Sequence, residues 1–168
     1  MRTHSDVVII GGGAVGTSIV YHLAINGASV TIVERDSIAS HASGFSGGLL
    51  TPTSEIGKLV PLHHQSFRMH EEMLDRVQEE SGIDAQVLRM PHIELALTED
   101  DVEVQKADLR RISYFPDFKS DWLEPGDIRK LEPRITEDLY GGVLVEDVII
   151  LDSYNLTLAT SRAAELHG

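Results

Sequence analysis

Val7-Val8-Ile9-Ile10 is an unbroken apolar run that stops at Gly11-Gly12-Gly13. It reads as a strand ending in a glycine turn. From Ala14 to Asn26 the apolar positions take helical spacing, and Gly27 fits the C′ position that closes such a helix. Ser29-Val30-Thr31-Ile32-Val33-Glu34 reads as a second strand ending on an acid. Pro61 can open a helix to Ser81, closed by Gly82, with Phe67, Met73, Leu74 and Val77 on one face. Ile93, Leu95 and Leu97 alternate with Glu94, Ala96 and Thr98, the pattern of a half-buried strand. Thr98 is placed to cap a helix from Glu99 to about Ile112. Pro125 can start a short helix that Pro133 ends. Val143-Leu144-Val145 and the stretch from Val148 to Leu151 read as strands that pair with each other. Asp152 or Ser153 then caps a last helix with Leu156, Ala159, Ala163 and Leu166 on one face.

Strand, glycine turn, helix, strand and acid follow in the order a dinucleotide needs. In Gly11-x-Gly13-x-x-Gly16, Gly11 allows the tight turn and Gly13 admits a pyrophosphate to the backbone. Gly16 lets helix and strand pack closely. The helix N-terminus supplies N–H groups and a partial positive charge. Glu34 can accept from ribose hydroxyls, and its charge disfavours a 2′-phosphate and hence NADP. Residues 36–54 are rich in Ser, Gly, Ala and Thr. Following the acid directly, this stretch reads as a cofactor-facing loop rather than a linker.

The chain has 168 residues, no cysteine and a formal net charge of −13. The charge disfavours nucleic acid and anionic membranes as partners. The absence of cysteine excludes disulfides, a thiolate nucleophile and a cysteinyl flavin link within these residues. No apolar run approaches a membrane span, and no signal-peptide pattern precedes the first strand, so a cytoplasmic location is expected.

These residues resemble the FAD-dependent oxidoreductases of the D-amino-acid oxidase type, which include glycine and sarcosine oxidases. The likeness lies in Ile10–Gly16 with Tyr21-His22-Leu23-Ala24 and Gly27, and in Val30-Thr31-Ile32-Val33-Glu34-Arg35. It continues in Ala42-Ser43-Gly44-Phe45-Ser46-Gly47-Gly48. A fourth part combines Leu95–Glu99, Leu131-Glu132-Pro133 and Leu151–Leu156. Val20 departs from the small residue usual on the first helix.

The resemblance implies an α/β fold: a Rossmann-like FAD-binding βαβ start with an inserted α+β segment, forming an incomplete N-terminal part of a two-domain flavoenzyme. The expected organisation is 1–54 in the FAD-binding domain, 55–90 helical, 91–151 in an α+β substrate domain, and 152–168 a helix returning to the first domain. It implies FAD on Gly11, Gly13, Ala14, Val15 and Gly16, with Glu34 on the adenosine ribose and Arg35 bordering the adenine side. Ser43 and Gly44 would contact the diphosphate, and Gly47 and Gly48 would bring backbone close to the flavin. The implied reaction is oxidation of a small amine or amino acid by hydride transfer to flavin N5. Family members run to roughly twice this length, so these residues alone are expected to be inactive and to associate through incomplete sheet edges.

Three alternatives stay open: a 2-hydroxyacid or glycerol-phosphate dehydrogenase of the same fold, an NAD-dependent dehydrogenase domain, and a non-catalytic nucleotide-binding fragment. No catalytic residue is assigned. His63, His64, His70 and Glu71 or Glu72 lack the spacing of a metal site, and none is expected. His41 reads as a loop histidine rather than a flavin attachment point. Tyr114, Phe115, Phe118 and Trp122 read as packing around Pro116.

Overall fold

The structure is a computed structural model that describes residues 4–51, 57–112 and 118–168. Tyr114, Phe115 and Pro116 lie outside the described residues, as do Pro52, Thr53 and Ser54 at the end of the small-residue loop. The chain divides into two compact units, Met1–Leu49 with Gln65–Leu88 and Ile150–Gly168, and Leu50–His64 with Arg89–Ile149.

The first unit opens with β1 (Val7–Ile10), α1 (Ala14–Ile25) and β2 (Val30–Val33). β1 and β2 pair in parallel, from Val7 opposite Val30 to Ile10 opposite Val33. Helix α1 ends through Gly27, whose φ of +85° is the left-handed geometry that glycine adopts without a Cβ penalty. The Gly27 N–H donates to the Ala24 carbonyl and the Ala28 N–H to that of Leu23, satisfying two terminal carbonyls.

Two further helices complete this unit, α5 (Ser153–His167) and the greater part of α2 (Val60–Ser81). Their core joins Tyr21 of α1, Met73 and Val77 of α2, and Ala159, Ala163 and Ala164 of α5. The run of alanines explains why α5 can lie close to α1. Leu166, expected on the same face, is 59% exposed, because that face turns out of the core near the helix end. The Asp152 carboxylate caps α5 by accepting from the Asn155 N–H at 2.9 Å.

One face of the parallel pair, carrying Val7, Ile9, Val30 and Ile32, is half-buried. The opposite face presents Val8, Val33 and Ile10, the last 88% exposed.

In the second unit the strands β3 (Leu49–Leu50), β4 (Leu88–Ala96), β5 (Ser120–Leu123) and β6 (Gly141–Ile150) form one sheet. Its order is β3-β6-β4, and β5 also pairs with β6, antiparallel, from Ser120 opposite Val145 to Leu123 opposite Gly142. Helices α3 (Glu99–Ile112) and α4 (Pro125–Leu131) belong to this unit. Val143, Val145 and Val148 pack with Leu109 and Trp122.

Two expectations need correction here. The stretches 143–145 and 148–151 are not a pair of strands; they are one strand, β6, bent at Asp147, where φ is +60°. The alternation in β4 is also shifted. Ala96 is fully buried and Leu97 half exposed, since the strand ends at Ala96 and Leu97 leads into the cap of α3. That cap is reciprocal: Thr98 Oγ1 accepts from the Asp101 N–H, and the Asp101 carboxylate accepts from the N–H groups of Leu97 and Thr98. β4 carries Pro91 in its middle, a residue that sheets tolerate on an edge strand.

Candidate functional site: the glycine turn and its covering loop

The glycine turn, its covering loop and the start of α5 all lie in the first unit. Gly11 has φ +106°, and its N–H donates to the Val33 carbonyl at 2.8 Å, so the turn is bolted to the end of β2. A Cβ on Gly16 would collide with the Gly11 carbonyl, which is what permits α1 to start so near β1. The first helical bond is Thr17 N–H to the Gly13 carbonyl. The N–H groups of Ala14, Val15 and Gly16 therefore have no acceptor inside the helix.

The loop after β2 folds onto this turn. Ser43 Oγ accepts from the Ala14 N–H at 2.9 Å, supplying a helix cap from 29 residues away. A Cβ on Gly13 would sit 2.9 Å from that same oxygen. Ala39, buried and at φ +62°, donates its N–H to the Gly12 carbonyl at 2.9 Å. Gly12 is closed in by Ile38 and by the Glu34 stem.

The loop is braced in turn by the start of α5. A Cβ on Gly44 would meet the Ala39 carbonyl and the Tyr154 ring. Ser153 Oγ donates to the Ser46 carbonyl at 3.0 Å. Gly48, at φ +67°, has Leu151 where its side chain would be, and the Leu151 N–H donates to the Gly48 carbonyl at 2.9 Å. Gly47 has open space around it, and Val15 is well exposed on the first turn of α1.

Glu34 is half-buried at the end of β2. Its Oε2 accepts from the Gly12 N–H at 2.6 Å and its Oε1 from the Asp36 N–H at 2.9 Å. The Asp36 N–H first, and the Gly12 N–H second, hold the carboxyl below its ordinary range, so it stays ionised. A carboxylate has about four acceptor sites, and two backbone donors leave capacity for hydroxyl groups. Arg35, largely exposed, bonds to Asp36 at 3.3 Å and to the His41 ring at 3.2 Å, and His41 bonds to Asp36 at 2.6 Å. Glu34, Asp36 and His41 could offer ligand atoms within 4.8 Å of one another. The Arg35 cation inside the group and the backbone donors on Glu34 make it an ion-pair cluster rather than a metal site.

Of the expected residues, Gly11, Gly13, Glu34 and Ser43 line a cavity of about 180 Å³, together with Gly12, Ala39 and Ser40 among others; Ala14, Val15, Gly16, Arg35, Gly44, Gly47 and Gly48 do not line it. Sequence reasoning passed over Gly12, Ala39 and Ser40. Three consecutive glycines were a signal for the first. Nothing in a Ser-Ala-rich stretch marks an alanine in left-handed geometry. Of the His63–Glu72 group, His70 bonds to the Ser66 carbonyl and Glu71 pairs with Arg68, while the His64 ring packs on Phe118 in the second unit.

A glycine-walled turn, a helix N-terminus, a hydroxyl beside it and an oriented carboxylate fit the diphosphate and ribose of FAD. Comparison with known proteins decides the family. The sequence profile of the family described as FAD dependent oxidoreductase (DAO) matches residues 6–168. The chain belongs to that family. The glycine oxidase of Bacillus licheniformis is 27% identical over 173 residues, covering 100% of this chain and 45% of that protein. The crystal structure of glycine oxidase from Geobacillus kaustophilus aligns with a TM-score of 0.84 at 30% identity, over 98% of this chain and 45% of that one. One component of the anaerobic glycerol-3-phosphate dehydrogenase of Escherichia coli (strain K12) is 30% identical over 164 residues, 98% of this chain and 29% of that protein. The chain therefore spans less than half the length of these relatives. It has the α/β fold of the glycine oxidase FAD-binding region. Among the described residues, no helix is long and apolar enough to cross a membrane.

Proposed function

We propose that this chain is the FAD-binding portion of an oxidoreductase that oxidises a small amine or amino acid. The observation that supports this best is the course of the chain after β2. It covers the glycine turn with the loop from Ser37 to Gly48, and the next strands enter a second sheet rather than extending β1–β2. A plain NAD-binding domain would continue with further βα units. The glycine oxidases among the relatives support the substrate class.

In this reading Gly11, Gly13, Ala14, Val15, Gly16 and Ser43 surround the diphosphate and Glu34 holds the adenosine ribose. Arg35 borders the adenine. Gly44 joins Ser43 at the diphosphate, Gly47 and Gly48 bring backbone toward the flavin, and Gly44 and Gly48 are also required for the loop's packing against Tyr154 and Leu151. Bound FAD would supply the hydride acceptor; these residues bind and orient it. Turnover is proposed for a protein of the relatives' length. The 168 residues alone are expected to bind FAD weakly, to show no turnover and to self-associate, because the face with Val8, Ile10 and Val33 is bare. A glycerol-phosphate substrate on the same fold is the second reading, favoured by the 30% identical dehydrogenase component.

The test is a fluorescence titration of the chain with FAD and with NAD, followed by oxidase assays of its complete reading frame on glycine, sarcosine and glycerol phosphate. FAD binding with amine oxidation supports the proposal. A preference for NAD, or activity confined to glycerol phosphate, refutes it.

A further inference from the structure

Away from the cavity, one cluster of ionisable groups joins all three helices of the first unit. Tyr21 of α1 is 1% exposed, and among the described residues its hydroxyl has no partner at full hydrogen-bond distance. The Arg76 guanidinium of α2 lies over its ring, 5.7 Å from the centroid. The ring of His22 on α1 and that of His167 on α5 meet it edge-on at 5.6 and 6.1 Å. One carboxylate ties these groups together. Glu80 of α2 accepts from Arg76 Nε at 2.9 Å through Oε1, and its Oε2 lies 3.1 Å from His167 Nε2. The Glu80 side chain is 22% exposed and that of His167 31%. Of the other charges on these helices, Arg162 pairs with Glu165, Arg68 pairs with Glu71, and Asp75 and Glu79 line a separate hollow with Gly82.

We infer that Glu80 is an acid-sensitive joint: its carboxylate fastens α5 through His167 and holds Arg76 over Tyr21 of α1, so that protonating it loosens both attachments. Partial burial works against the charged form of Glu80. The hydrogen bonds from Arg76 and His167 outweigh it and hold the carboxyl below its ordinary range. Burial first, and the Glu80 charge next, push the Tyr21 phenol upward, so the ring stays neutral. A carboxyl lowered on folding stabilises the fold above the unfolded carboxylate range, and that contribution is lost as pH falls through the folded value. Neutral Glu80 therefore leaves the Arg76 guanidinium without its carboxylate and weakens the contact with His167.

The experiment is urea unfolding of the full chain, followed by far-UV circular dichroism, from about pH 7.5 to about pH 3. Glu80→Gln is expected to lower the folding equilibrium constant roughly tenfold at the upper end. The gap to wild type should begin to narrow in the ordinary carboxylate range and close only below it. A gap that is absent at neutral pH, or unchanged in acid, overturns the inference. His167→Gln removes one arm only. It should cost less, weaken over the same acid range, and cost less still in the Glu80→Gln background, where only the ring contact with Tyr21 remains to lose. Full additivity of the two substitutions would likewise overturn the inference, and His167→Gln keeps the test decisive if Glu80→Gln does not fold.

Discussion

Gly16→Ala tests whether the third glycine of the turn is there for packing or for the ligand. The new methyl group would collide with the Gly11 carbonyl, while Ile9 Cγ2 at 3.5 Å would be an ordinary contact. The carbonyl is held from turning aside, because it shares a peptide plane with the Gly12 N–H, which donates to Glu34 Oε2 at 2.6 Å. Relief requires α1 to move off β1 by roughly an ångström, which forfeits up to about half of the dispersion energy of each contact it opens. Overpacking of this kind costs about 1–3 kcal/mol, and an unyielding backbone neighbour puts it near the top of that range. Alanine returns at most about 1 kcal/mol in helix propensity. The net loss is about 2 kcal/mol, or roughly a thirtyfold fall in the folding constant. Urea unfolding monitored by circular dichroism reads it directly. Gly13→Ala is the milder comparison, since its methyl would press on Ser43 Oγ, whose rotation costs no more than the α1 cap, about 1 kcal/mol. It should lower the midpoint less than Gly16→Ala does, yet lose FAD binding. An unchanged midpoint for Gly16→Ala would show that helix and strand are not in the contact described.

Ser43→Ala removes the distant cap of α1 and should cost about 1 kcal/mol in urea unfolding, besides weakening FAD binding in a fluorescence titration; unchanged values of both would remove Ser43 from the site. Glu34→Gln should reduce FAD affinity roughly tenfold at neutral pH. Because the Glu34 carboxyl is held below its ordinary range, wild-type affinity should stay level through mild acid and fall only below that range; loss near neutrality would contradict this assignment. Ile10→Lys, at the most exposed of the bare apolar positions, should leave the unfolding midpoint within about half a kcal/mol and reduce self-association in sedimentation. Persistent oligomers would exclude that face as their cause.

Local chemistry made much of this molecule legible. Gly27, Thr98, Asp152 and Pro125 mark helix ends because capping depends on the few residues around each end. The β1-turn-α1-β2 start was legible because the left-handed geometry of Gly11 and Gly27 and the contact of Gly16 with Gly11 are set within a few residues of each glycine. The bend of β6 at Asp147 was hidden, since aspartate carries no requirement for left-handed geometry. The Ser43 cap and the contacts of Gly44 with Tyr154 and of Gly48 with Leu151 link positions far apart in sequence. No periodicity encodes them. For the same reason Ala39 and Gly12 were missed: their roles come from how the loop lies on the turn.

Pro91 has a consequence for how this chain would fail. A proline within β4 leaves a missing donor in the ladder of the terminal strand of its sheet. A foreign strand docking there would find a gap midway and a broken register. The small parallel pair has no such guard: neither Val7–Ile10 nor Val30–Val33 contains a proline, and every residue can offer its full backbone. Misassembly should therefore start at the cofactor-binding end of the sequence. Fibrils or oligomers grown from destabilised protein should protect amides of residues 7–10 and 30–33 from exchange while those around Pro91 remain open.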